Sequence, residues 1–298
     1  MWWKNIWNTN KPTGEAEEKL PATEPELINV AVKSDVGNLR TNNEDAAIYM
    51  RVADKQIADL RGCLLMVADG MGGHQAGEVA SRIATEAISQ HYFSRKKTES
   101  ITEALSHAYR AANSKIYKLA SLNQSQRGMG TTCTSLVIAG NQLYYAHVGD
   151  SRAYLLKENQ LKRITEDHTY VQELLKNKEI DPADAATHPK RNILTNAMGT
   201  KPELRVDAGK LEHTFEPGDK ILICSDGLSE YFIDSELAQY LSKGSPETIA
   251  DQLIATAKQR GGHDNITVIV AEHRPTQQLS SPETRDIYIP ITREYDII

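Results

Sequence analysis

The chain has 298 residues, 40% of them hydrophobic and 25% charged. That is enough for one large domain or two small ones with a sizeable core, and it argues against wholesale disorder. The net charge of −6 excludes a general nucleic-acid footprint, because phosphate backbones call for a clustered basic surface.

Residues 1–24 open with Met1-Trp2-Trp3-Lys4-Asn5-Ile6-Trp7 and then become rich in Asn, Glu and Pro. They read as a flexible tail, too short in its apolar part for a secretory signal. Strands are expected at 27–32, 46–52 and 62–68. Glycine-rich punctuation at 70–77 precedes a helix with Val79, Ile83 and Ala87 on one face. A second helix carries Ile101, Leu105, Ala108, Ala112, Ile116 and Leu119. Short strands follow at 132–139, 142–148, 152–156 and 161–164. Their connections are too short for helical crossovers, so they are expected to pair antiparallel with one another. Residues 168–187 read as helical and mobile. A buried strand at 220–224 leads to two helices, the second announced by Ser245, Pro246 and Glu247. The last strand is 266–271, and 273–298 read as a second tail. Strand runs and helix pairs without regular alternation give an α+β class with antiparallel sheets.

No apolar run approaches the roughly 18 residues that span a bilayer. Cys63, Cys133 and Cys224 all lie in apolar, strand-like runs and read as reduced core residues of a cytoplasmic protein.

Aspartates recur at strand ends: Asp45, Asp69-Gly70, Asp150, Asp226-Gly227 and Asp264. A lone Asp-Gly is more often a turn. Several carboxylates at one sheet edge would repel one another unless cations sit between them. Oxygen-only ligands suit magnesium and manganese. Arg40, four residues before Glu44, is either a structural ion-pair partner or a fork for phosphate. The glycines of Asp69-Gly70-Met71-Gly72-Gly73-His74-Gln75-Ala76-Gly77-Glu78 permit close backbone approach, without the spacing of a P-loop or a dinucleotide fingerprint.

Together these motifs resemble the type 2C, metal-dependent protein phosphatase family in its compact bacterial branch. The matching segments are Ser34-Asp35-Val36-Gly37 with Arg40 and Asn43-Glu44-Asp45-Ala46, then Asp69 to His74 with Gly77-Glu78. Gly128-Met129-Gly130-Thr131-Thr132, Val148-Gly149-Asp150-Ser151-Arg152, Glu166-Asp167-His168, Cys224-Ser225-Asp226-Gly227-Leu228 and Gly261-Gly262-His263-Asp264-Asn265-Ile266-Thr267 complete the series. The resemblance implies a four-layer α-β-β-α sandwich with two central antiparallel sheets, a phosphatase domain over 25–272 and a mobile flap at about 165–191. It implies a serine/threonine phosphatase using two Mn²⁺ or Mg²⁺ ions, with an optional third. Asp69 would bridge two ions, Asp226 and Asp264 would complete the first, and the Gly70 carbonyl would bind the second. Glu44 and Asp45 would act through water, and Asp150 would share the third ion with Asp226. Arg40 would hold the phosphate, while a hydroxide between the ions attacks in line. Substrates would be phosphoproteins, the partner a bacterial Ser/Thr kinase, and the enzyme a cytoplasmic monomer.

Two positions depart from the family pattern. Met71 stands where some members carry a histidine, leaving His74 as the nearby imidazole. Asn196 stands where the segment Leu194-Thr195-Asn196-Ala197-Met198-Gly199 has arginine in the family. A thiol phosphatase built on Cys224 is disfavoured by Glu230, which stands where that chemistry needs arginine. The rival reading is a catalytically weak phosphatase-like module that binds phosphoproteins.

Overall fold

In a computed structural model of the protein, the described residues are 28–72, 76–94 and 98–274. The tail expected at 1–24, His74, and the second tail beyond Arg274 lie outside them.

The elements follow in chain order: β1 (Ile28–Asp35), β2 (Asp45–Met50), α1 (Lys55–Arg61), β3 (Cys63–Met71), α2 (Ala76–Ser94) and α3 (Ile101–Leu122). Then come β4 (Gly130–Thr131), β5 (Cys133–Ala139), β6 (Gln142–Val148), β7 (Arg152–Lys157), β8 (Gln160–Arg163), α4 (Tyr170–Lys176) and α5 (Pro182–Thr187). The chain ends its regular structure with β9 (Asp207–Thr214), β10 (Lys220–Cys224), α6 (Asp226–Ser229), α7 (Asp234–Leu241), α8 (Pro246–Gln259) and β11 (Ile266–His273).

One sheet runs β1-β11-β10-β7-β8 and the other β2-β3-β5-β6-β9, with β4 paired to β3. The recorded strand pairs are antiparallel. Side-chain alternation builds the layers. On β3, Leu64, Met66 and Ala68 face α2 and α3, whereas Leu65 and Val67 face the opposite sheet. On β10, Leu222 and Cys224 face α7 and α8, whereas Ile221 and Ile223 meet the other sheet in the middle. The result is helices, sheet, sheet, helices. Each fully buried leucine in these layers contributes about 1.5–3 kcal/mol. Local signals set the helix ends: Ser100 and Glu103 form a reciprocal capping box on α3, and Ser245 caps α8 ahead of Pro246.

One expectation is corrected. β6 and β7 follow one another closely but do not pair. β6 lies between β5 and β9, whereas β7 lies between β10 and β8. Gly149-Asp150-Ser151 carry the chain from one sheet to the other. Gly149 has φ +107°, and a Cβ there would come within 2.5 Å of the Thr132 side chain, so only glycine makes this passage without strain. β11 also runs to His273, past the 271 expected. α1 and β9 were not expected as elements. α1 has seven residues, too short for a clear period. β9 is a polar edge strand with little buried surface.

Candidate metal and phosphate site

The ends of β2, β3, β10 and β11, with the passage between β6 and β7, converge on one mouth of the sandwich. A cleft of about 290 Å³ opens there. Its lining includes Arg40, Glu44, Asp69, Gly70, Asp150, Asp226 and Asp264. Eight of the residues singled out from the sequence are thus accounted for by this cleft and its floor, since Asp45 sits just beneath: it is paired across the ladder with Asp69, and its Oδ2 accepts from Ser225 Oγ at 2.9 Å. Met71, Gly72, Thr132, Asn192 and Leu194 complete the lining.

Close backbone packing holds the carboxylates in place. A Cβ on Gly70 would come within 2.1 Å of the Gly77 carbonyl oxygen, and one on Gly77 within 2.8 Å of Glu44 Cδ. Two glycines therefore let the end of β3, the start of α2 and Glu44 meet. Asp69 is fixed from the side: its N–H donates to Thr132 Oγ1 at 3.1 Å, and its carbonyl accepts from Thr131 Oγ1 at 2.8 Å. Thr132 in turn contacts Ser151 at 2.7 Å, beside Asp150.

Asn265, whose motif was noted but whose role was missed, organises the other side. Its buried amide donates to the carbonyls of Val36 and Asn42 at 3.0 and 2.9 Å, and its Oδ1 accepts from the Glu44 N–H at 2.8 Å. It staples the loop that bears Arg40 and Glu44 to the start of β11. Asn38 adds bonds to the carbonyls of Lys258 and Gly261. Asn265→Ala is expected to destabilise the fold by about 1–3 kcal/mol, because it removes three hydrogen bonds that hold this loop, and to lower activity; denaturant unfolding measures the first and steady-state assays the second.

The electrostatics are strained. Burial, with Asp226 and Asp264 nearby, pushes Asp45 up to about 7 even though Ser225 and Thr267 donate to it. Burial and then repulsion by Asp45, Asp226 and Asp150 drive Asp69 well above the ordinary carboxylate range. Burial and Asp226 do the same to Asp150. Asp226 is raised chiefly by burial, although a hydrogen bond with Asp69 opposes the shift. Glu44 is raised by burial, with Arg40 opposing. Asp226 Oδ1 is buried and has no hydrogen-bond partner. Buried carboxyls that repel one another and an orphaned oxygen are the chemistry of a hard-cation site, and the residues fit one. As placed, no three His, Cys, Asp or Glu side chains among the described residues stand ready around a common point. Arg40 accounts for part of this, since one guanidinium nitrogen holds Asp264 Oδ2 at 2.8 Å.

Histidines tie the chain after β8 to the end of β6 and the start of β9. Gly149 N–H and Asn196 Nδ2 both donate to His168 Nδ1, at 3.1 and 3.0 Å, which leaves Nε2–H to donate to Asp207 at 2.9 Å. Asn196 also donates to the Arg205 carbonyl. The residue that replaces the family's arginine thus anchors this segment itself. His147, pushed down to about 3 by burial and by His168, bonds Thr134 and the Glu166 carbonyl. Arg152 grips Asp167 with two nitrogens. Arg191 pairs with Glu230, just after α6. Met71 has no proton to donate.

Against known proteins, residues 41–256 match the family model described as Protein phosphatase 2C. The serine/threonine phosphatase stp of Listeria welshimeri is 38% identical over 253 residues, which are 83% of this chain and 96% of that protein. The crystal structure of the Mycobacterium tuberculosis serine/threonine phosphatase PstP/Ppp is 37% identical with a TM-score of 0.73, covering 83% of this chain and 99% of that one. The catalytic domain of PstP in complex with two manganese ions is 35% identical with a TM-score of 0.70, covering 83% and 99%. The strand-end carboxylates, the sandwich that gathers them and these matches agree, and the chain belongs to the protein phosphatase 2C family as a metal-dependent serine/threonine phosphatase of the bacterial kind.

Proposed function

We propose that this cleft hydrolyses phosphoserine and phosphothreonine esters of proteins; Asp69, Asp226 and Asp264 would hold one cation, and Asp69 with the Gly70 carbonyl a second. Glu44 and Asp45 would act through water, and Asp150 with Asp226 would offer a third, weaker position. The observation that carries this reading is the convergence of buried, mutually repelling carboxyls on a cleft that also holds Arg40. When bound, manganese or magnesium acidifies water so that hydroxide is available near neutral pH, and offsets charge on the phosphoryl oxygens.

The chain's own residues do the rest. Arg40 presents a planar fork to two phosphoryl oxygens. Thr132 fixes Asp69, and the Gly70–Gly77 contact fixes the backbone beneath it. Asn192 and Leu194, just past the flap at about 165–191, line the cleft and would lie against the substrate. Met71 cannot protonate the leaving serine or threonine oxygen, so that proton comes from water in the open cleft. The working unit is the domain 25–272, acting as a cytoplasmic monomer opposite a Ser/Thr kinase.

Purified protein is expected to hydrolyse p-nitrophenyl phosphate and phosphothreonine peptides with manganese or magnesium, and chelation should abolish both activities. Equal rates without any divalent ion would overturn the mechanism. Arg40→Ala should lower kcat/KM about 10- to 100-fold, the value of a lost charge-assisted bond of about 1.5–3 kcal/mol, mostly through KM. Arg40→Lys should recover only part, because a point charge cannot bind two oxygens at once.

A further inference from the structure

His168 is buried and bonds both polar groups of one residue. Its main-chain N–H donates to the Gly149 carbonyl at 2.7 Å, and its ring Nδ1 accepts from the Gly149 N–H at 3.1 Å. Gly149 turns the chain from one sheet to the other at φ +107°. Without a Cβ, its backbone is held least by its own sterics. Bonds to its N–H and its carbonyl therefore fix the two peptide planes that meet there. The second plane carries the nitrogen and Cα of Asp150. On the far side of Asp150, Ser151 Oγ meets Thr132 Oγ1 at 2.7 Å. Asp150 thus projects into the cleft from a short span anchored at each end.

Only one state of the ring does this. A main-chain N–H can only donate, so Nδ1 keeps its lone pair and the ring proton sits on Nε2. Asp207, at the start of β9, accepts from that Nε2–H at 2.9 Å. A carboxylate that takes one ring N–H fixes which tautomer the other side presents. His147 lies beside the ring, with centroids 4.7 Å apart. Its own nitrogens are spent on Thr134 and the Glu166 carbonyl, so it does not replace His168. The Thr195 N–H donates to the His168 carbonyl at 2.9 Å, beside the cleft residue Leu194. His168 thus joins two walls of the cleft.

We propose that His168 is a positioning residue for Asp150: Asp207 selects the Nε2–H tautomer, and Nδ1 clamps Gly149 so that the carboxylate of Asp150 is set for the weaker cation. This rests on the role given to Asp150 under the proposed function.

The test reads manganese uptake by calorimetry in the full chain and in H168N, H168Q and H168L. Asparagine puts an amide oxygen where Nδ1 stands and gives up Asp207. Glutamine carries its amide one carbon further out, where Nε2 stands, so it keeps Asp207 and gives up Gly149. Leucine has the shape of asparagine and keeps neither bond. The weaker ion should bind H168N within about threefold of the unaltered chain, and H168Q and H168L about tenfold more weakly, the worth of one buried hydrogen bond. The tighter ions should bind all four proteins alike. Tm in chelator is measured beside each titration. Every variant loses bonds, so a merely structural histidine would make weak-ion affinity follow Tm, whereas the clamp makes it follow the Gly149 bond. Nitrogen NMR of the unaltered chain needs no variant to fold, and it should show His168 with a bare Nδ1 and a protonated Nε2. A proton on Nδ1, or a weaker ion that H168Q holds as well as H168N does, overturns the proposal. An unaltered chain that takes up the tighter ions and no weaker one refutes the role of Asp150 itself, and the clamp's purpose with it.

Discussion

Asp226→Asn is expected to remove essentially all turnover, lowering kcat/KM by about 10³-fold or more, several kcal/mol of transition-state stabilisation. The amide keeps the shape and removes the charge. Asp226 sits at the start of α6 with one buried oxygen that nothing in the protein satisfies. Its carboxyl faces Asp69 at hydrogen-bonding range. An amide there can donate to Asp69, so the folded protein should survive the change, and in chelator it should melt at a higher temperature than the unaltered chain. Activity and stability move in opposite directions, which is the signature of a residue kept for chemistry. Full activity in this variant would mean that the cation centre lies elsewhere. The measurements are manganese-dependent hydrolysis of p-nitrophenyl phosphate and thermal unfolding with and without chelator.

The second large effect is on stability against pH. In the chelated protein, Asp45 is raised to about 7, and Asp69, Asp150 and Asp226 are raised too. In the unfolded chain such groups titrate near 3.9. Between the two values the folded state holds more protons than the unfolded state, so stability falls as pH rises. The contribution is fully present below about pH 4 and is lost as pH climbs through about 7. Ordinary carboxylates are already ionised above pH 5, and His147, held at about 3 in the folded state, opposes the cluster only up to about pH 6.5, so the cluster's slope is read above that. The chelated enzyme should therefore lose stability between about pH 6.5 and 8, read as a fall of several degrees in Tm. Saturating manganese should remove most of that slope, since a cation bound only by the folded state stabilises it by mass action. A chelated Tm that stays flat or rises over this range would contradict the electrostatics of the cleft.

The sandwich class and the principal carboxylates were legible because they rest on local signals. An aspartate that ends an apolar run, as at Asp69, Asp150 and Asp226, is visible in a window of ten residues. The β6–β7 passage was not. Two strands joined by Gly149-Asp150-Ser151 read as a hairpin, and only the packing of the whole sandwich places them in different sheets. Asn265 stands in a visible motif, but its role is not legible there, since its partners Val36 and Asn42 lie more than 220 residues away. Asn192 and Leu194 line the cleft through a chain return that pairs Thr169 with Leu194, and nothing periodic announces it. Asn196 looked like a missing arginine; its bonds to His168 and Arg205 are a tertiary fact.

The pairing of β1 with β11 has a consequence for how the enzyme comes into being. Every residue of Ile28–Asp35 is matched to one of Ile266–His273. Arg40 and Glu44 follow the first of these strands directly, and Asp264 and Asn265 precede the second. During synthesis the early half of the cleft must wait until residue 273 has left the ribosome. A nascent or truncated chain can fold helices and hairpins, yet it cannot strip phosphate from its neighbours. Such late closure of distant ends slows folding, and in return the activity switches on only when the domain is whole.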